Sequence, residues 1–254
     1  MKSPLVLVGL LAVFAGCASP TAAVLTPKPG AAGTQVETSF TQVVTKTNQF
    51  RFLLALPKEY AADSGKRWPL VLFLHGAGER GTDVQKVAVH GPPKLVKEGW
   101  DFPFILASPQ CPEGQVWDTD ALIGLVDTLQ AQLAVDAKRT YVTGLSMGGY
   151  GTWALASKYP DRFAAVAPVC GGGERIRALL PSQREALQTL GVWAFHGGKD
   201  NVVAPSESER MVDAFKKAGV TDIQLTVYPE DGHDSWTHAY AEPTFYDWLL
   251  KHSR

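Results

Sequence analysis

A serine between two glycines is the strongest candidate for chemistry in this sequence. Ser146 lies at the centre of the pattern G-x-S-x-G in residues 144–148, between the apolar run 140–143 and a segment of helical spacing. The glycines let the backbone turn sharply and leave room beside the serine, so that its hydroxyl can project at the carboxyl edge of a sheet. The N-terminus of the following helix favours developing negative charge. The pattern therefore predicts a nucleophilic serine, with an ordinary tight turn as the alternative.

An aspartate and a histidine lie in loops after two later apolar runs. Asp200 follows the run 192–196, and His233 follows the run 223–228. A nucleophilic serine needs a base and a group that orients the base, and in this strand-to-helix setting the chain order is serine, acid, histidine. We therefore expect His233 to be the base and Asp200 to orient it. A carboxylate that only caps the following helix is the alternative for Asp200, because Asp is common in loops for local hydrogen bonding.

The other acids and histidines near these loops have plainer explanations. Asp231 and Asp234 compete for the acid role, but they adjoin His233 in sequence, whereas we expect the acid to come from the end of a different strand. The remaining histidines lie in glycine-rich turns, outside clear strand ends or at the C-terminus: His75, His90, His196, His238 and His252. No pair of them has convincing metal-ligand spacing, so we expect no metal and no cofactor.

A glycine-rich stretch at 75–81 follows the apolar run 71–74. Such a loop presents backbone N–H groups, which acyl transfer requires for the oxyanion of its tetrahedral intermediate. We expect the donors to be the N–H groups of Ala77 and of Met147, the residue after the serine. A turn needed only for chain reversal is the alternative.

Apolar runs that are rich in β-branched residues must position these loops. They span residues 69–74, 104–108, 140–143, 163–169, 192–196 and 223–228, and helical spacing marks 118–133, 148–158, 206–217 and 243–251. Continuous apolar runs are typical of strands buried on both faces, so the alternation predicts an α/β fold with a doubly wound, mostly parallel sheet. At its N-terminal edge, TQVVTK (41–46) and FRFLLALP (50–57) predict two antiparallel strands.

The bulk composition predicts a single folded domain over residues 37–254. The chain has 254 residues, 19% charged residues and a formal charge of -1, so it lacks the excess positive charge that favours binding to nucleic acid.

Only about twenty residues separate Cys170 from the strand at Val192, too few for a cap domain over the site. We therefore expect an open cleft that Trp117 and Trp236 line, although about half of such tryptophans only pack.

The N-terminus predicts export. Residues 1–16 have the pattern of a signal peptide, with an apolar run too short to span a bilayer. Cys17 follows in a pattern that resembles a bacterial lipobox, which implies a lipid anchor on Cys17, a flexible tether over 17–36 and a periplasmic or cell-surface location. The residue three before this cysteine departs from the usual leucine, so cleavage after Ala18 or Ala23 and secretion as a soluble protein is the alternative.

Cys111 and Cys170 form an even pair in a chain expected to meet an oxidising compartment. They follow strands that we place about three inter-strand spacings apart, roughly 14 Å, whereas bridged Cα atoms lie about 4.4 to 6.8 Å apart. We therefore expect no disulfide between them.

Five motifs together resemble one family. They are HGAGERG (75–81), SPQCP (108–112), TGLSMGGYGTW (143–153), FHGGKD (195–200) and DGHDSW (231–236). They resemble bacterial carboxylesterases of the α/β-hydrolase fold, related to feruloyl and acetylxylan esterases and more distantly to prolyl oligopeptidases. The resemblance covers about residues 50–251, implies a triad of Ser146, Asp200 and His233, and leaves the substrate open. Dienelactone hydrolases share the fold but carry a cysteine at the elbow, which Ser146 argues against.

The expected activity is hydrolysis of carboxylic esters through an acyl-enzyme, on a small-molecule or polymer-attached substrate. Feruloyl and acetyl esters on carbohydrate are the candidates that the resemblance suggests. A serine exopeptidase of the prolyl-oligopeptidase type and a carbohydrate-binding lipoprotein without turnover are the alternatives.

Overall fold

The computed structural model describes residues 24–27, 35, 37–61 and 65–254. The signal peptide, Cys17 and most of the expected tether lie outside the described residues. The chain divides into two units, Met1–Asn48 and Gln49–Arg254. In the first unit, β1 (Val24–Pro27) pairs antiparallel with β2 (Thr38–Thr41), so four residues of the expected tether form a strand.

The second unit contains one seven-stranded sheet. Its strands are β3 (Phe52–Ala55), β4 (Trp68–Leu74), β5 (Ile105–Pro109), β6 (Val135–Leu145), β7 (Ala165–Val169), β8 (Gly191–Gly197) and β9 (Ile223–Tyr228). The order is β3-β5-β4-β6-β7-β8-β9, and every pairing is parallel except that of β3 with β5. The prediction of a mostly parallel sheet with an antiparallel N-terminal edge is confirmed.

The prediction of a strand over residues 41–46 at that edge is wrong. Residues 42–50 form neither helix nor strand, and Val43 and Val44 are exposed. The antiparallel partner of β3 is β5, and Leu53 and Ala55 pack against one of the two hydrophobic cores. Alternation in sequence shows that a segment suits a strand but not which strand it pairs with, and pairing with a buried strand covers more apolar surface.

Eight α-helices flank the sheet in the described chain. They are α1 (Gly91–Lys97), α2 (Thr119–Gln132), α3 (Met147–Lys158), α4 (Arg175–Ala178), α5 (Arg184–Gln188), α6 (Ser206–Ala218), α7 (Trp236–Ala241) and α8 (Pro243–Lys251). The four predicted helices, α2, α3, α6 and α8, are confirmed. The four that the sequence did not indicate have seven residues or fewer, too short to show helical periodicity.

The two faces of the sheet are covered by different helices. Leu70, Leu72 and Leu74 of β4 belong to one core with side chains of α2, α3 and α6. Val71 and Phe73 belong to the other core with side chains of α1, α7 and α8. Because successive side chains of a strand point to opposite faces, this double burial explains the continuous apolar runs. None of the described helices is long and apolar enough to span a bilayer.

The segment after β7 carries no cap domain. Between Cys170 and Gly191 the chain forms only α4, one turn of 3-10 helix and α5. Cys111 and Cys170 are both buried and free, so the expectation of no disulfide is confirmed. The loops at the carboxyl ends of β4, β6, β8 and β9 are therefore left to form the site.

Candidate active site

Ser146 occupies a strained turn between β6 and α3. Its backbone has φ 53° and ψ -116°, a positive φ that is rare for a residue with a side chain. Such a conformation costs on the order of 1–3 kcal/mol and persists only where the surroundings hold it. Here the Ser146 N–H donates to the Val169 carbonyl at 3.0 Å, which ties the turn to the neighbouring strand.

The flanking glycines are required by close backbone contacts. A Cβ on Gly144 would lie 2.6 Å from the carbonyl oxygen of Gly148, and a Cβ on Gly148 would lie 1.9 Å from that of Leu74. No side-chain rotation relieves a contact between a Cβ and backbone. The G-x-S-x-G pattern is thus explained by the packing of the turn against β4.

Asp200 and His233 meet Ser146 at the carboxyl edge of the sheet. Asp200 lies in the loop after β8, and His233 lies in the loop after β9. His233 Nδ1 is 2.7 Å from Asp200 Oδ2, and His233 Nε2 is 2.9 Å from Ser146 Oγ. The competing acid Asp231 contacts His238 Nδ1 instead, at 2.6 Å. The structure therefore brings the three predicted residues into one hydrogen-bonded line.

Asp200 is buried and held as a carboxylate. Asp200 as a whole is 7% exposed, and its Oδ1 accepts hydrogen bonds from the N–H groups of Val202 and Val203, both at 2.9 Å. Burial opposes ionisation, but the hydrogen bonds from His233 and from these two amides outweigh it and lower the pKa of Asp200. An ionised Asp200 can only accept, so His233 Nδ1–H donates to it, and in the neutral imidazole Nε2 is the acceptor that faces the serine hydroxyl.

The expected oxyanion donors belong to the residue after the serine and to a loop that packs against it. Ala77 is the first residue of a 3-10 turn and Met147 is the first residue of α3. Neither N–H is used by the hydrogen bonds of the described residues. A Cβ on Gly76, the residue before Ala77, would lie 3.6 Å from Ser146 Cβ, so this loop packs directly against the serine.

An apolar cavity of about 700 Å³ opens next to Ser146. Met147, Tyr150 and Ala154 of α3 form one side of it, and Trp117 contributes from the segment before α2. The Trp117 indole N–H also donates to the His75 carbonyl at 3.2 Å, so this tryptophan both packs and lines the cavity. Tyr150 was missed in the sequence, although its position one helical turn after the serine is the signal for it.

Trp236 lies against the expected base. It is not among the residues that line this cavity, and its ring meets the His233 ring edge-on, with 5.3 Å between ring centres and 84° between planes. Trp236 therefore supports the histidine that contacts Ser146.

Two buried groups beside the three residues were not predicted. His196 Nε2 lies 3.2 Å from Asp200 Oδ2, and both side chains are fully buried. Cys170 has a positive φ of 40°, and its Sγ lies within 4.8 Å of ligand-type atoms of Asp200 and His233. Burial raises the pKa of the Cys170 thiol to about 12, so it is a protonated group and not a thiolate nucleophile.

Two family models match this chain. The family described as "Putative esterase" matches residues 45–174. The dienelactone hydrolase family matches residues 114–244, so the expectation that Ser146 separates the chain from that family is wrong. Together the two models cover the strands and loops that carry the site.

Curated relatives and solved structures of esterases are similar to this chain. The "Probable feruloyl esterase C" of Aspergillus terreus is 26% identical over 183 residues, 70% of this chain and 64% of that protein. The "Bifunctional acetylxylan esterase/xylanase XynS20E" of Neocallimastix patriciarum is 26% identical over 155 residues, 58% of this chain. A crystal structure of a thermostable esterase superposes with a TM-score of 0.66 at 29% identity, covering 90% of this chain and 70% of that one.

The chain spans only part of several relatives. The matched segment is 22% of the bifunctional acetylxylan esterase/xylanase. A poly(3-hydroxyalkanoate) depolymerase of Paucimonas lemoignei is 30% identical over 115 residues, and that segment is 28% of the depolymerase. These proteins therefore contain further sequence that has no counterpart in the match.

Proposed function

Because this chain belongs to the carboxylesterases of the α/β-hydrolase fold, we propose that it hydrolyses carboxylic esters through an acyl-enzyme on Ser146. The observation that carries the proposal is the hydrogen-bonded line Ser146–His233–Asp200, with 2.9 Å and 2.7 Å between the paired atoms. These distances suit proton transfer between a nucleophile, its base and the group that orients the base.

The reaction then needs no group beyond this chain and water. Ser146 Oγ attacks the ester carbonyl carbon while its proton passes to His233 Nε2, and the oxyanion accepts hydrogen bonds from the Ala77 and Met147 N–H groups. Collapse breaks the bond to the alcohol oxygen, which takes the proton from His233. Water then gives a proton to His233 and attacks the acyl carbon, releasing the acid and restoring Ser146. Asp200 stabilises the imidazolium at each stage.

Serine is favoured over the nearby thiol as nucleophile. Ser146 Oγ lies 2.9 Å from His233 Nε2, whereas Cys170 is fully buried and its thiol pKa is about 12. A protonated, solvent-shielded thiol is a poor nucleophile.

The apolar cavity favours an apolar acyl group. Its lining by Trp117, Met147, Tyr150 and Ala154 suits aliphatic or aromatic carbon, and no domain is inserted after β7 to close it. Similarity to a feruloyl esterase and an acetylxylan esterase supports feruloyl or acetyl esters on carbohydrate as substrates.

We also propose that the enzyme is located outside the cytoplasm and is attached to a membrane by a lipid anchor at Cys17, because residues 1–17 have the pattern of a lipoprotein signal. Expression in a Gram-negative host should place the protein in the membrane fraction and Cys17→Ser in the soluble fraction. An identical distribution of both proteins would contradict the anchor.

The proposed nucleophile is tested with p-nitrophenyl acetate and a fluorophosphonate probe. Wild type should turn over the ester and be labelled by the probe, whereas Ser146→Ala should fold and do neither. Ser182→Ala, at an exposed serine outside the site, is the matched control and should behave like wild type. Wild-type-like turnover or labelling in Ser146→Ala would refute the assignment.

A further inference from the structure

A second histidine contacts the same Asp200 oxygen as His233. His233 Nδ1 lies 2.7 Å from Asp200 Oδ2, and His196 Nε2 lies 3.2 Å from that oxygen. The side chains of His196 and Asp200 are both fully buried, and His196 is not among the residues that line the apolar cavity. Because His196 has no exposed surface, it can act on a substrate only through another residue.

The neighbours of the His196 ring fix which nitrogen carries hydrogen. Nε2 lies 3.0 Å from the Val203 carbonyl oxygen and 3.2 Å from Asp200 Oδ2, and both of these oxygens are acceptors. A bare ring nitrogen would be repelled by both, so Nε2 carries a hydrogen and donates it to the Val203 carbonyl. The positive end of this N–H bond also lies beside Asp200 Oδ2. His196 therefore adds a favourable electrostatic contact to the oxygen that accepts from His233.

The other nitrogen of the ring is anchored at the opposite side. His196 Nδ1 lies 2.7 Å from Ser208 Oγ, which lies 3.0 Å from the Gly171 carbonyl oxygen. Ser208 is fully buried in the first turn of α6, and His196 itself belongs to β8. Both ring nitrogens thus have partners, as buried polar groups require, and the ring is held in one orientation.

Val203 joins this histidine to the Asp200 carboxylate. Its carbonyl accepts from His196 Nε2, and its N–H donates to Asp200 Oδ1 at 2.9 Å. The loop 200–203 is therefore fixed to His196 at one end and fixes the carboxylate at the other. A shift of this loop would move Asp200 relative to His233, and misplacing a catalytic group by about 1 Å can cost about 10²-fold in rate.

We propose that His196 is a positioning residue that holds Asp200 in the orientation that His233 requires. The inference rests on the proposed function, in which Asp200 orients the imidazole and stabilises its protonated form. Loss of the His196 Nε2–H should let the loop shift and lower kcat. KM should not change, because His196 has no contact with the cavity.

Two amide substitutions separate the two sides of the ring. The asparagine amide reaches about as far as Nδ1 of a histidine, whereas the glutamine amide reaches about as far as Nε2. His196→Asn should lower kcat for p-nitrophenyl acetate by about ten- to a hundredfold, the effect of a misplacement of up to about 1 Å. His196→Gln should stay close to wild type, because it keeps a donor for the Val203 carbonyl.

A double-mutant cycle shows whether the loss passes through Asp200. Asp200→Asn has already lost the orienting carboxylate, so adding His196→Asn should lower its kcat by less than about twofold, since residues that act as a unit are not additive. An effect on the fold alone would multiply the two losses. The matched control is His252→Asn, which should keep the kcat of either background. His252 contacts a backbone carbonyl and Asp222, both at 2.8 Å, beside Gly191 at the start of β8.

Wild-type kcat in His196→Asn, losses that multiply in the cycle, or equal losses in His196→Asn and folded His196→Gln would overturn the proposal. If urea unfolding shows that His196→Asn does not fold, His196→Gln decides: kcat close to wild type supports the positioning role, and a large loss in the folded variant contradicts it. Failure of wild type to hydrolyse p-nitrophenyl acetate is a different result, and it would refute the proposed function itself.

Discussion

Gly148 in the first turn of α3 lies so close to the end of β4 that a Cβ on it would sit 1.9 Å from the Leu74 carbonyl oxygen. This approach brings the turn that carries Ser146 against the loop that carries Ala77. This close backbone contact between a strand and a helix thus helps to hold the nucleophile near the loop of one expected oxyanion donor.

Gly148→Ala should therefore destabilise the protein and remove most activity. Overpacking against backbone costs about 1–3 kcal/mol or more, because the helix must move as a whole. Gly124→Ala, on the exposed face of α2 with no atom within 4 Å of the added Cβ, should stabilise by about 0.4–1 kcal/mol. Urea unfolding measures both free energies. Equal stability of the two variants would contradict the contact.

Asp200→Asn should lower kcat by about 10⁴-fold while the protein stays folded. The carboxamide oxygen can still accept from the N–H groups of Val202 and Val203, which leaves its NH₂ facing His233 Nδ1. The histidine then carries its proton on Nε2 and cannot accept one from the serine. The matched control is Asp222→Asn, which alters the remote pair of Asp222 with His252 Nε2 at 2.8 Å and should keep wild-type kcat. Equal losses in both variants would show that Asp200 has no special role.

The acid stability of the protein should depend on Asp200. Its pKa is lowered in the folded state, so its ionised form stabilises the fold above the ordinary carboxyl pKa of about 4, and this contribution is lost as the pH falls through the lower folded value. The difference in the free energy of unfolding between wild type and Asp200→Asn should stay level from pH 7 to about 4 and then decrease. Urea titrations at each pH measure it. A difference that increases on acidification would contradict the lowered pKa.

Ala154→Leu should restrict the acyl group. Ala154 lines the apolar cavity, and a larger side chain there removes volume that a long acyl chain would occupy. The kcat/KM ratio of p-nitrophenyl butyrate to p-nitrophenyl acetate should fall by about tenfold or more, the effect of 1–3 kcal/mol in a hydrophobic pocket. Ala131→Leu, at an exposed position of α2, should leave the ratio unchanged. An unchanged ratio in Ala154→Leu would mean that the acyl group binds elsewhere.

Much of the architecture was predictable from local pattern. The apolar runs of the parallel strands and the helical spacing of α2, α3, α6 and α8 are properties of contiguous residues, and all were confirmed. The same local patterns singled out Ser146, Asp200 and His233, because each follows its own strand and parallel strands end at one edge of a sheet. The distances that join the three side chains agree with that expectation.

The partners of each element were decided only by the tertiary structure. Sequence alternation did not indicate that β3 pairs with β5, or that the Trp236 ring meets the His233 ring edge-on. A residue's type and local spacing determine which chemistry it can do and which element it suits, whereas contacts between residues far apart in the chain depend on how all the elements pack together. The sequence alone therefore determined the expected nucleophile, base and acid, and the packing decided what surrounds them.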